Sequence, residues 1–250
     1  MRDFLPSDVR KREYVIGIIK SVYESYGFES LERAEIFQKQ IDADDKSIEA
    51  NAILAVNEVL DRLGIKNFAI YLSHSDVLAG ILETVRVPEA LQQQTFAAIR
   101  SFNKYNIDGF VSELQEAGVS ENASTILADL FLKTDEILNQ EHDINRTVVS
   151  NLLNIVNSEA LTELGQILRL TGRTPVLLDP ALACEPPYSR GTIIEVRTSG
   201  LETLGIGGCV EEKNRAFAFS FDIENIVELM ENKKMFPFET AAPCSAAILR

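Results

Sequence analysis

An α+β fold is predicted for this chain: an antiparallel sheet flanked by helices, with an inserted helical subdomain. Two observations carry that expectation. From about Ser75 to Leu170 the apolar residues recur almost wholly at helical spacing, and after Gly172 their period switches to two. Strands grouped late in the chain, with helices segregated from them, suit an antiparallel sheet, whereas a doubly wound parallel sheet would alternate the two. The chain has 250 residues with 46% apolar content, enough for one sizeable core or a core with a small appended domain.

The elements follow in order. Ser7 or Asp8 can cap a first helix whose apolar positions include Tyr14, Val15, Ile18, Ile19, Val22 and Tyr23, with Gly27 as its stop. A second helix begins near Ser47 and stops at Gly64. Phe68, Ile70 and Leu72 then alternate with more polar neighbours, the pattern of a strand with one buried face. In the helical stretch Ser75-Asp76 and Pro88-Glu89 mark starts and Gly109 and Gly118 mark stops, while Val148 to Leu170 closes it as one or two helices. Pro175 to Leu178, Gly191 to Val196 and Ala216 to Phe221 are strands, and Ile223 to about Lys233 is an amphipathic helix. The final Ala246 to Arg250 resembles the beginning of another strand. The expected division is 1–83 and 171–238 for two parts of the core, 84–170 for the helical subdomain, and 239–250 for the start of a truncated C-terminal segment.

Composition excludes several functions. The N-terminus lacks the apolar core of a secretory signal, and no run approaches the length of a membrane span, so the expected compartment is the cytoplasm, with no membrane partner. Cys184, Cys209 and Cys244 form no close pair and stand far from His74 and His142, which argues against a zinc site or a disulfide framework. With 24 basic and 38 acidic residues the net charge is -14, unfavourable for non-specific nucleic-acid binding. Arg10, Lys11 and Arg12 form the densest basic run, and on a helix they are expected to fan into a solvated face. His74, Ser75 and Asp76 are adjacent, so they cannot converge as a catalytic triad; a helix N-cap is the favoured reading.

Several segments, in one order across nearly the whole chain, resemble histidyl-tRNA synthetase. Met1 to Pro6 with the helix ending Val22 to Phe28 is similar to the family's first helix. Gln40-Ile41-Asp42-Ala43-Asp44 resembles the end of its motif 2, and Asn57 to Gly64 and Ser73 to Leu78 follow in the family's sequence. Asp179 to Ala183 leads into Gly191 to Val196 as in the histidine-binding segment, and Phe219 to Asn225 stands where motif 3 belongs. The resemblance implies a class II aminoacyl-tRNA synthetase core: six or seven antiparallel strands flanked by helices, usually dimeric, with a helical insertion that touches the tRNA acceptor stem.

What the resemblance implies about the site can be set against its chemistry. Joining a carboxylate to the α-phosphate of ATP draws two anions together, and fixed guanidinium groups supply the compensation. The family uses three arginines. One falls on Cys184, in a segment reading Cys184-Glu185-Pro186-Pro187-Tyr188-Ser189-Arg190; another falls on Asn225, with Asp222 replacing a glycine beside the nucleotide. For the third, in motif 2, Arg33 is the only candidate for ATP binding, at an altered spacing. The histidine side is better kept: Gln40 and Asp44 match positions that bond the amine and imidazole, and Tyr188 retains one tyrosine of a pair whose other member is Ser189. Asp42 and Asp44 are equally readable as solvated or helix-capping residues. Gly205-Ile206-Gly207-Gly208 aligns with a family glycine loop, but such runs are more often turns or bulges than phosphate cradles.

Three readings stand at this level. One is the family's ATP-dependent attachment of histidine to tRNA(His), with ATP and Mg2+ and a homodimer; each lost electrostatic donor would remove about 2.7 to 4 kcal/mol of transition-state stabilisation. Another is a non-catalytic histidine sensor without a cofactor, resembling the regulatory subunit of ATP phosphoribosyltransferase. The last is a chain lacking segments of a longer synthetase, near Glu32, Asp44 and Glu211.

Overall fold

In the computed structural model, residues 6–30, 36–40, 47–100, 102, 107–138, 148, 158–182, 190–200, 202–210 and 216–238 are described. The first helix, α1 (Pro6–Ser25), ends where Gly27 turns the chain with φ 77°, and α2 (Ser47–Arg62) ends at Gly64 with φ 79°. Both glycines occupy the left-handed region that L side chains enter at a cost, so both stops are enforced by the backbone. The buried stripe of α1 is Val15, Ile19, Val22 and Tyr23, and that of α2 includes Ile53, Val56, Val59 and Leu60.

Seven strands form the sheet: β1 (Glu29–Ser30), β2 (Ile36–Gln40), β3 (Phe68–His74), β4 (Val176–Leu178), β5 (Arg190–Thr198), β6 (Thr203–Val210) and β7 (Ala216–Phe221), ordered β1-β2-β7-β6-β5-β3-β4. Every neighbouring pair is antiparallel except β3–β4. Parallel neighbours need a crossover rather than a hairpin. Between them in the chain lie α3 (Ser75–Thr84), α4 (Glu89–Arg100), α5 (Ile107–Glu116), α6 (Glu121–Leu138) and α7 (Ser158–Thr171). Within this stretch Phe102 packs edge-on against both Phe110 and Phe131, with the Phe102 and Phe110 centroids 4.8 Å apart. The last helix, α8 (Ile223–Asn232), follows β7 directly.

On the helix-covered face of the sheet, Phe37, Phe219 and Phe221 gather round Tyr23, whose centroid lies 4.8 Å from Phe37 and 5.3 Å from Phe221. Burial pushes the Tyr23 phenol well above its ordinary value of 10.0, and its hydroxyl donates to the Ala52 carbonyl at 3.4 Å. Above pH ~10 the unfolded chain releases this proton while the folded chain keeps it, so the stabilisation is complete below that pH and falls as pH rises. Tyr23→Phe is expected to flatten the alkaline decline by up to about 1.4 kcal/mol per pH unit. At neutral pH it should cost only about 0.5–1 kcal/mol for the long hydrogen bond. Denaturant titrations at stepped pH read both quantities.

Three expectations are corrected. Gly109 does not stop a helix but is the third residue of α5. In the first turn a residue's N–H has no intrahelical acceptor, and Phe110 and Leu114 carry the buried stripe onward past it. Of Arg10, Lys11 and Arg12, only Arg10 is on a solvated face, with its guanidinium over the Phe238 ring at 4.3 Å. Lys11 bonds Glu231 at 2.8 Å and Arg12 pairs with Glu224, so these two fasten α1 to α8.

The third correction is the glycine run, which is neither turn nor bulge but the middle of β6. A Cβ on Gly205 would stand 2.6 Å from Phe219 Cε1, and one on Gly207 would stand 2.5 Å from Phe219 Cδ2. The glycines therefore make the flat bed on which the Phe219 ring lies, a packing role of bare backbone against an aromatic side chain.

Candidate functional site

The alternation of β7 divides the sheet. Phe217, Phe219 and Phe221 face the helical core, which places Ala216, Ala218 and Ser220 on the other face. Register carries that face across the strands: Gln38, Ala218, Gly208, Ile193 and Ser73 form one row, and Ile36, Ser220, Ile206, Glu195 and Tyr71 the next. In the first row Ala218 and Gly208 are small and lie between the polar Gln38 and Ser73, while in the second the small Ser220 stands between Ile36 and Ile206, with the polar Glu195 and Tyr71 toward one side only.

At one end of this surface, where β6 starts and β7 hands over to α8, lies a cavity of about 330 Å³ lined by Thr203, Ile206, Ser220, Asp222 and Glu224 among others. Asp222 is the N-cap of α8: its Oδ1 accepts the Asn225 N–H at 2.9 Å. The Asn225 side chain donates in turn to the Thr203 carbonyl at 2.9 Å, latching α8 to β6. Both residues are thus consumed by the fold. None of the described lining residues is Lys or Arg. Asp222→Ala should cost about 1 kcal/mol through the lost cap, visible as a fall of about 2–4 °C in the melting temperature.

A charged network lies across β5 from this cavity. Arg197 Nη2 donates to Glu195 Oε2 at 2.6 Å, and its Nη1 lies 3.7 Å from Asp179 Oδ2. The guanidinium stacks on Tyr71, 4.7 Å from the ring centroid. Burial opposes the Arg197 charge, but the hydrogen bond and charge of Glu195, then Asp179 and Tyr71, outweigh it and hold the proton more firmly than usual. Thr203 Oγ1 donates to the other Glu195 oxygen at 2.7 Å, which connects the network to the cavity wall.

His74 is the N-cap of α3, its Nδ1 accepting the Asp76 N–H at 3.2 Å, as the capping reading expects. Its Nε2 lies 3.3 Å from Glu163 Oε2 on α7, so one imidazole joins the end of β3 to two helices. Ser75 Oγ accepts the N–H of Gly191, which takes φ 70° where β5 slips register against β6.

Of the residues that the sequence proposes for the site, Gln40 closes β2 opposite Ala216 in register, with its side chain outside the described residues. Arg33, Asp44 and Tyr188 lie outside them, as do Cys184, Glu185 and Ser189. Arg190 pairs with Cys209 through the backbone, its side chain likewise outside. Sequence reasoning missed the Arg197 network, although Glu195 and Arg197, two apart on a strand, had to share one face.

The sequence profile of histidyl-tRNA synthetase matches residues 34–226. The chain belongs to the histidyl-tRNA synthetase family. A histidine–tRNA ligase of Flavobacterium johnsoniae is 27% identical over 255 aligned positions, covering 92% of this chain and 53% of that ligase. One from Cytophaga hutchinsonii is 23% identical over 213 positions, covering 79% and 46%. The chain thus spans about half the length of these curated relatives. Among solved structures, histidyl-tRNA synthetase from Nostoc sp. PCC 7120 superposes with a TM-score of 0.76 at 16% identity, over 94% of this chain and 75% of that one. An ATP phosphoribosyltransferase regulatory subunit/histidyl-tRNA synthetase from Bacillus halodurans gives 0.65 at 13% identity, over 91% and 81%. The fold is therefore that of histidyl-tRNA synthetases, mixed α+β with a seven-stranded sheet. In this member of the histidyl-tRNA synthetase family, no described helix is long and apolar enough to cross a membrane.

Proposed function

We propose that this histidyl-tRNA synthetase-like chain binds histidine over the face of its sheet that carries Ala218, Gly208 and Ser220, without activating it at a synthetase's rate. The observation that carries the reading is the engagement of Asp222 and Asn225. At the junction that the resemblance assigns to motif 3, one residue caps α8, the other latches it to β6, and the adjoining cavity carries Asp222 and Glu224 carboxylates. A bare polyphosphate fits this lining poorly: the Asp222 carboxylate would repel it, no described lining residue is Lys or Arg, and the nearby Arg12 guanidinium is already engaged with Glu224. Gln40, Asp44 and Tyr188 are assigned to histidine, and Arg33 is the remaining residue assigned to ATP. In the same reading the chain is cytoplasmic and dimeric, with 84–170 as the inserted subdomain of a core formed by 1–83 and 171–238.

The rival reading is the complete ligase, which would use ATP, Mg2+ and tRNA(His). The missing guanidinium groups at positions 184 and 225 weigh against it. A histidine-sensing subunit, as in ATP phosphoribosyltransferase, is the form that non-catalytic binding would take. Calorimetry with free histidine and no nucleotide is expected to show saturable one-site binding, and a flat titration removes the proposal. Histidine-dependent exchange of pyrophosphate into ATP is expected at background; turnover above it restores the ligase.

A further inference from the structure

We propose that Arg197 is a positioning residue for the amino-acid half of the site, tethering the turn from which the chain runs toward Tyr188. The inference rests on the histidine-binding reading for its ligand, but its tether can be tested independently.

The turn is built on Asp179. Its N–H extends the sheet by donating to Leu72 O at 3.0 Å, its carbonyl accepts the Leu182 N–H at 3.1 Å, and its Oδ1 accepts the Ala181 N–H at 2.9 Å. One carboxylate oxygen therefore shapes the turn while the other, Oδ2, faces Arg197. Asp179 side-chain exposure is 8% and that of Arg197 is 13%, so water screens the pair little.

Arg197 is itself held on two further sides, by Glu195 and by the Tyr71 ring. Glu195 is fixed in turn by Thr203, whose carbonyl receives the Asn225 latch. The result is a continuous set of contacts from the head of α8, through β6 and β5, to the turn after β4. A planar guanidinium is needed, because its edge serves two carboxylates while its face lies on an aromatic ring, a combination that an ammonium cannot reproduce. The same saturation means that Arg197 does not replace the cations missing at positions 184 and 225. Its charge is spent between two carboxylates, and its role is to fix where the next segment begins.

The test uses the full chain with Arg197→Met, Arg197→Lys and Asp179→Asn. Arg197→Met is expected to weaken histidine binding tenfold or more in calorimetry. It should also speed hydrogen exchange at the Ala181 and Leu182 amides at least tenfold, whereas Val56→Ala, which lowers global stability through a cavity in the core without touching the turn, should leave these two amides near wild type. If Val56→Ala opens the two amides as much as Arg197→Met does, the effect is merely structural, and that result overturns the proposal. Arg197→Lys should recover part of both effects, and Asp179→Asn should loosen the same two amides. If Arg197→Met does not fold, these two variants decide the matter: wild-type exchange at Ala181 and Leu182 in both sinks the tether. If the wild-type chain does not bind histidine, the functional reading fails, while the exchange measurements still decide whether Arg197 holds the turn.

Discussion

Gly207→Val is expected to lower stability by about 3 kcal/mol, the upper part of the range for overpacking a filled core. For a chain of this size that corresponds to a drop of about 6–12 °C in melting temperature. A Cβ at Gly207 would meet not only Phe219 Cδ2 but the Ala218 carbonyl oxygen at 2.7 Å and Phe219 Cα at 3.1 Å. The ring is fully buried, with its centroid 4.8 Å from that of Phe221, so it has little space into which to turn. The two backbone atoms belong to the neighbouring strand, so relief requires β6 and β7 to separate. Phe219→Leu in the same chain should therefore return only part of the loss. Gly165 on α7 is the control: nothing lies within 4 Å of a Cβ there, and Gly165→Ala should stabilise by about 0.5–1 kcal/mol through helix propensity. Thermal unfolding of the three variants separates crowding from a general dislike of substitution at glycine.

Arg197→Met should cost about 3–5 kcal/mol, because removing one partner of a buried ion pair strands the others. Two carboxylates, Asp179 and Glu195, would lose the cation they share. Charge rather than shape should account for most of the effect. Adding Glu195→Gln to Arg197→Met is expected to return more than half of it, since the amide still accepts from Thr203 without carrying a charge. Chemical denaturation of the single and double variants checks this. A double variant as unstable as Arg197→Met would show that packing on Tyr71, not electrostatics, dominates.

The elements most legible in the sequence were those whose pattern is complete within themselves. α1, α2, β3, β7 and α8 announce themselves through apolar period and terminal glycines, and their ends fall close to where those signals place them. β6 was illegible for the opposite reason. Thr203 to Val210 has the composition of a loop, and what makes it a strand is a phenylalanine on β7 that needs bare backbone beneath it. The role of Lys11 in α1 is illegible for a similar reason: the carboxylate that receives it is 220 residues away. At the site, the exchange of arginine for Asn225 and of glycine for Asp222 was visible against the family pattern. Their second occupations, as latch and cap, required the junction of β6 with α8 to be seen.

The lone parallel pair also bears on how the molecule comes apart. Ile70 meets Val176 in register, so the three pairs of β4 close a loop of roughly a hundred residues, whose entropy so few bridges cannot offset unaided. The edge strand must borrow its hold from α7, the helix just before it, which packs on α2, α3 and β3. Loosening α7 should release β4 in a partial opening while the rest of the sheet stays closed. That helix, rather than the strand's own bridges, would then govern how long the turn at Asp179 survives.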